Sequence, residues 1–293
     1  MNLRRFAWLR VVVLTLVSHC AFASSLQYQE LVFENQGVNL SGTLVLPAQQ
    51  PPQSVVVFVH GSGAQMRNLL IAEKFAGDGI AAFVYDKRGV GKSGGDYESQ
   101  QSVSEKNIRL LANDALAAVH RLKRHPVVDD VPVGLVGISQ AGWIVPLAAA
   151  KSDLIDYLVI WSGPVCKVSE EDIFSKYTAD KDTNTVPSYL EALSARTSPY
   201  TWPDFLGEDT DPSVSLAKLR IPGLWLFGAQ DGSIPVDLSI ARLDRLIEQG
   251  HAYDYVLFSA AGHNNMGMTF DTALSWIKTG PLQSVTTTSS ATE

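Results

Sequence analysis

The 293-residue chain carries 23 basic and 30 acidic side chains for a formal net charge of −7, and it is 46% hydrophobic and 18% charged. That balance excludes a disordered chain, which holds less apolar and more charged surface. The acidity argues against nucleic acid or an anionic membrane as a partner.

The first residues read as an export signal. Arg4, Arg5 and Arg10 flank an apolar run, 11–17, too short to span a bilayer, and Ala21-Phe22-Ala23 supplies a small-x-small cleavage pattern. Residues 1–23 are therefore expected to be a signal peptide, with the protein periplasmic or secreted and without stable membrane insertion after cleavage. An uncleaved anchor helix is the alternative. Cleavage would take the net charge to about −10 and leave Cys166 as the lone thiol, excluding an internal disulfide or a cysteine-built zinc site. Cys166 follows a strand-like run and is expected to be packed.

Next come Tyr28 to Glu34 and Val38 to Leu46, an antiparallel pair joined through Asn35-Gln36-Gly37. Ser54 to Val59 is almost wholly apolar, the mark of a strand buried on both faces. Similar runs follow at Ile80 to Tyr85, Val131 to Ile138, Ile155 to Trp161, Pro222 to Gly228 and Tyr253 to Phe258. Helical spacing predicts Arg67 to Ala76, then Ser104 to Lys123 with Ser104 as N-cap. It also predicts Trp143 to Ala150, Val236 to Gln249 and Thr269 to Lys278. Alternation of this kind makes an α/β protein with a doubly wound, mostly parallel sheet. Residues 165–219 break the rhythm with helix-like pieces (Glu170 to Ala179, Ser188 to Ala195) and an aromatic loop, and are expected to form a cap inserted into a domain spanning 24–283. Residues 284–293, rich in Ser and Thr, read as a disordered tail.

The chemistry concentrates at Gly137-Ile138-Ser139-Gln140-Ala141-Gly142. A buried strand runs into a helix with Ser139 at the corner, and small neighbours allow the sharp turn that exposes its hydroxyl beside a helix N-terminus. Ala141 stands where such motifs usually have glycine. A serine hydroxyl needs an adjacent base. His263 lies just after the last strand on a small-residue loop. His60 ends the third strand, while His120, His125 and His251 read as surface or capping positions. The base in turn needs an acid to hold its tautomer. Asp231, after the penultimate strand, fits better than Asp237 at a helix start or Asp254 inside a strand. The order Ser139, Asp231, His263 matches that of α/β-hydrolases. Oxyanion donors are expected from the N–H of Gln140 and from Ser62 in His60-Gly61-Ser62-Gly63.

Four blocks then carry a family likeness: Phe58 to Gly63, Tyr85 to Ser93, Gly137 to Gly142, and Gly228-x-x-Asp231 with Gly262-His263. Through them the chain, from Leu31 to Ile277, resembles the α/β-hydrolase superfamily, in particular bacterial esterases related to dienelactone hydrolases, prolyl oligopeptidases and serine aminopeptidases. The second block contains Gly-Lys-Ser but has Asp86 where a phosphate-binding loop needs glycine. The resemblance instead implies that Asp86 and Arg88 brace the region near the oxyanion turn.

The expected activity is cleavage of a carboxylic ester through an acyl-enzyme, on a small-molecule ester or short peptide, needing no cofactor or metal. Trp202 and Phe205, with Tyr200, either line an acyl pocket or pack the cap down. An aminopeptidase-like exopeptidase would use a cap acid among Glu170, Glu171, Asp172, Asp204, Glu208 and Asp209 to hold the substrate amine. An acyl thioesterase and a catalytically silent binding protein are the other readings.

Overall fold

The computed structural model describes residues 25–280 apart from position 49. The signal-peptide and tail expectations therefore fall outside the described residues. The chain opens with a hairpin, β1 (Gln27–Asn35) and β2 (Val38–Leu46), in the antiparallel register Asn35↔Val38. Its two-residue connection needs positive φ at both positions. Gln36 at 53° and Gly37 at 75° supply it.

The central strands follow from their β-branched runs. β3 (Ser54–Val59) and β4 (Ile80–Tyr85) are buried along their whole length. With β5 (Val133–Ile138), β6 (Tyr157–Trp161), β7 (Gly223–Gly228) and β8 (Tyr253–Phe258) they form one sheet in the order β1-β2-β4-β3-β5-β6-β7-β8. The hairpin joins antiparallel through β2 on β4, and every pairing from β4 to β8 is parallel. A parallel sheet must be covered on both faces. α1 (Leu69–Gly77) and α8 (Met266–Thr279) pack Ile71, Phe75, Phe270 and Ile277 onto one face. α2 (Glu105–Leu122), α3 (Ala141–Ala149) and α7 (Val236–Glu248) pack Ile108, Leu111, Ile144 and Leu243 onto the other. Each such side chain contributes about 1.5–3 kcal/mol when fully buried. Ser104 caps α2, its side chain accepting from Asn107 N–H.

Between β6 and β7 the chain forms α4 (Val168–Thr178), α5 (Tyr189–Ser194), a short 3-10 turn (Asp204–Leu206) and α6 (Pro212–Leu216). Arg242 on α7 ties this segment down, pairing with Glu170 at 2.7 Å and Asp211 at 3.8 Å. Among the described residues no helix is long and apolar enough to cross a membrane.

Candidate active site

Six parallel strands, β3 to β8, end along one edge, and the loops after β3, β5, β7 and β8 bring their residues together around Ser139. The residue directly follows β5 and has φ of +56°, the left-handed region. For a non-glycine residue this costs about 1–3 kcal/mol and persists only where surroundings enforce it. Here the enforcing contacts are Ser139 N–H to the Trp161 carbonyl at 2.9 Å and Gly142 N–H to the Ser139 carbonyl at 2.8 Å. A Cβ on Gly137 would stand 2.5 Å from the Ala141 Cβ, and one on Gly142 would stand 2.6 Å from Pro164. Glycine at 137 thus leaves room for the methyl group of Ala141.

His263 reaches Ser139 from the loop after β8. Its Nε2 lies 2.9 Å from Ser139 Oγ, and its Nδ1 lies 3.0 and 2.8 Å from the Asp231 carboxylate oxygens. A carboxylate offers only acceptors, so Nδ1 carries the ring proton and Nε2 accepts from the serine hydroxyl. Asp231 is fully buried, and Ser233 and Ile234 donate backbone N–H groups to it at 2.8 and 3.2 Å. Burial alone would lower the His263 pKa. The hydrogen bond and charge of Asp231, with Asp182 and Asp180, outweigh it and raise the pKa above the ordinary histidine value.

Opposite His263 lies the turn after β3. A Cβ on Gly61 would meet the Ile138 carbonyl at 3.2 Å and the Ser139 Cβ at 3.4 Å, so the turn lies directly against the serine. Among the described residues, neither Ser62 N–H nor Gln140 N–H donates to another protein group. His60 is buried with Nε2 on the Tyr85 carbonyl, and burial lowers its pKa to about 4, which keeps it neutral.

Two residues that sequence reasoning passed over complete the site. Asp86 is occupied with Arg67, and Arg88 with buried Asp114. Lys87 between them is the one that reaches the turn. Its ammonium donates to the carbonyls of Gly61 at 2.7 Å and Gly63 at 3.2 Å, and to Gln140 Oε1 at 3.0 Å. Burial lowers its pKa to about 8. The second is Asp182, whose carboxylate accepts from His263 N–H and Gly232 N–H, both at 3.1 Å. The space it fills is the space a Cβ on Gly262 would need. Nearby on α4, burial and the charges of Asp180, Asp172 and Asp231 push Glu171 up to about 8.

The family profile described as serine aminopeptidase, S33, matches residues 50–214, which include the turn, Lys87 and Ser139. The chain belongs to this S33 family of the α/β-hydrolase superfamily. Among curated proteins, this S33 chain is 29% identical over 175 residues to a thiohydrolase of Aspergillus aculeatus, covering 58% of the chain and 51% of that protein. It spans about a quarter to a half of the length of the curated relatives it matches. Among solved structures it is similar to an acylaminoacyl peptidase of Pyrococcus horikoshii (TM-score 0.65, 17% identity, covering 87% of this chain and 42% of that one). An esterase of Pyrococcus furiosus matches with TM-score 0.62 at 18% identity, over 86% of this chain and 90% of that one. At such identities these likenesses carry the fold alone.

Other candidate residues of this S33 chain stand apart. Asp237 accepts from Tyr189 N–H, and Asp254 from Trp276 Nε1, so neither orients His263. His125 and His251, read as surface or capping positions, are both buried: His125 bonds Gln29, and His251 stacks on Tyr253 with Nδ1 on the Leu219 carbonyl. Helix ends gave no sign of these long-range partners. Cys166 is fully buried, and burial raises its thiol pKa. Trp202 packs against the core with its indole N–H on the Gly207 carbonyl, whereas Phe205 is 69% exposed. Tyr200 donates to Asp172. Among the described residues no hydrogen bond joins this loop to Ser139 or His263. Among the described residues no group of three or more His, Cys, Asp or Glu could hold a metal ion.

Proposed function

We propose that this chain is a serine hydrolase that cleaves carboxylic ester bonds. The observation that carries this reading is the relay Ser139 Oγ, His263 Nε2 at 2.9 Å, and His263 Nδ1 on Asp231 at 2.8 Å, mounted on a strained turn. As Ser139 Oγ bonds to the substrate carbonyl carbon, its proton moves to His263 Nε2. Asp231 stabilises the resulting imidazolium. The carbonyl oxygen becomes an oxyanion that accepts from Ser62 and Gln140 N–H, each donor lowering the barrier by about 3 kcal/mol. His263 then protonates the leaving alcohol, and an acyl-enzyme remains. Water, giving its proton to His263, attacks the acyl carbon, and His263 passes that proton to Ser139 Oγ as the acyl C–O bond breaks and the acid leaves.

Lys87 serves as a positioning residue. It bonds the Gly61 carbonyl, which belongs to the same planar peptide group as Ser62 N–H. In a trans peptide the two point in opposite directions, so a cation fixed on the carbonyl aims and polarises the N–H toward the substrate. Its bond to Gln140 Oε1 steadies the residue that bears the second donor.

An exopeptidase reading is favoured by one observation. The charges of Asp182 and Asp180 are felt at His263, so the base side of the site suits a cationic amine. The thiohydrolase likeness makes thioesters a further substrate class. The deciding test is Ser139→Ala assayed on p-nitrophenyl acetate, an aminoacyl p-nitroanilide and an acyl thioester. The expected outcome is ester turnover by the wild type, reduced by about four to six orders of magnitude in the variant. Undiminished turnover, or failure of a fluorophosphonate to label Ser139, would end the proposal; preference for the anilide would favour the exopeptidase.

A further inference from the structure

The chemistry above leaves one feature of the sheet edge unused. A cleft of about 680 Å³ opens between the starts of α1 and α8, walled by Phe58, Met66, Leu69, Leu70, Ile138 and Met266. Its walls adjoin the reacting centre along the chain. Ile138 immediately precedes Ser139, Met266 opens α8 three residues after His263, and Gln65 on its rim donates to the Ser62 carbonyl at 2.6 Å. Met66 and Leu70 are 67% and 70% exposed, large apolar side chains left side by side in water. A cluster of this kind beside a site marks a binding surface.

The polar residues of the cleft have no charge to spare. Arg67 uses all five N–H groups on the protein: Nε on Asp86, Nη1 on Glu30 and Thr43, Nη2 on Asp86 and Ser41. His60 is buried and already bonded to the Tyr85 carbonyl. A substrate carboxylate or phosphate would find no uncommitted cationic side chain there to pair with, whereas a hydrocarbon chain would cover the exposed methionine and leucine. Methionine's unbranched, flexible side chain accommodates chains of differing length.

We infer that this cleft binds an unbranched hydrocarbon chain of the substrate, extending from the scissile carbonyl past Ile138 and Met266 toward Leu70. The inference rests on the ester reading only for the position of that carbonyl. Leu70→Asp and Met66→Asp alter exposed positions and should leave the fold intact, checked by circular dichroism. Wild type and variants are compared on p-nitrophenyl acetate and octanoate, and on ethyl and octyl acetate. We expect kcat/KM for a long-chain ester to fall by about five- to tenfold while the short esters are unchanged. A loss confined to the octanoate series assigns the acyl chain to the cleft, and a loss confined to octyl acetate assigns the alcohol chain. Unchanged chain-length preference in both series would overturn the inference. Should no ester be turned over, the hydrolase reading fails by itself. Calorimetric titration of 1-octanol into the Ser139→Ala protein then decides the cleft: binding weakened by Leu70→Asp supports it, and absent or unaffected binding overturns it.

Discussion

The two sides of Ser139 are built with opposite charge. Behind the turn after β3 stands a buried ammonium, Lys87, bonded to two carbonyls of that turn. Behind His263 stand carboxylates, Asp231 in direct contact and Asp182 on the backbone of the same loop. In the proposed reaction the first side would receive a negative oxygen and the second would become an imidazolium. Fixed charges arranged this way favour the charge-separated transition state over the neutral ground state. The sides also differ in origin: the cation follows β4 directly, whereas Asp182 comes from the long segment between β6 and β7.

Removing one side's charge at a time tests whether the asymmetry matters. Asp231→Ala should cost most, lowering kcat on p-nitrophenyl acetate by about 10⁴-fold, since Nδ1 would lose the partner that fixes its proton. A loss of only a few-fold would mean the base is oriented otherwise. Lys87→Met should lower kcat by about 10- to 100-fold with KM nearly unchanged, because the aimed N–H groups act on the oxyanion and not on the bound ester. Its pH profile separates this role from a structural one. With Lys87 titrating at about 8, wild-type kcat should decline as pH rises through that value, and the variant should lack the decline. Asp182→Asn should act least. With the His263 pKa raised, kcat/KM is expected to climb as pH rises through a midpoint above the ordinary histidine value, because the base of the proposed reaction must be neutral to accept a proton. Removing the Asp182 charge makes the imidazolium less favourable, so the midpoint should move down by a fraction of a pH unit. An unmoved midpoint would show that this charge is not felt.

The same contrast explains what could be read from the chain in advance. Strands announced themselves because a sheet covered on both faces requires continuous runs such as Ser54–Val59. Ser139, Asp231 and His263 stood out because each follows such a run on a short loop. The strand order did not: nothing local says that β4 lies between β2 and β3. Lys87 was hidden inside a motif whose other charges drew the eye, and its role depends on carbonyls 24 and 26 positions away. Asp182 sits where no periodicity exists to be read. Trp202 and Phe205 were singled out for their aromatic character, but one packs on the core and the other faces water. Side-chain type alone cannot distinguish those fates.

Asp182 belongs to a stretch without regular structure, yet its two oxygens clasp the N–H groups of both loops that bear His263 and Asp231. An engineer wishing to widen the entrance would be tempted to trim residues 165–219 as dispensable cover. Doing so would unfasten both loops together, and the alignment of imidazole and carboxylate would be lost before any broader substrate could be admitted.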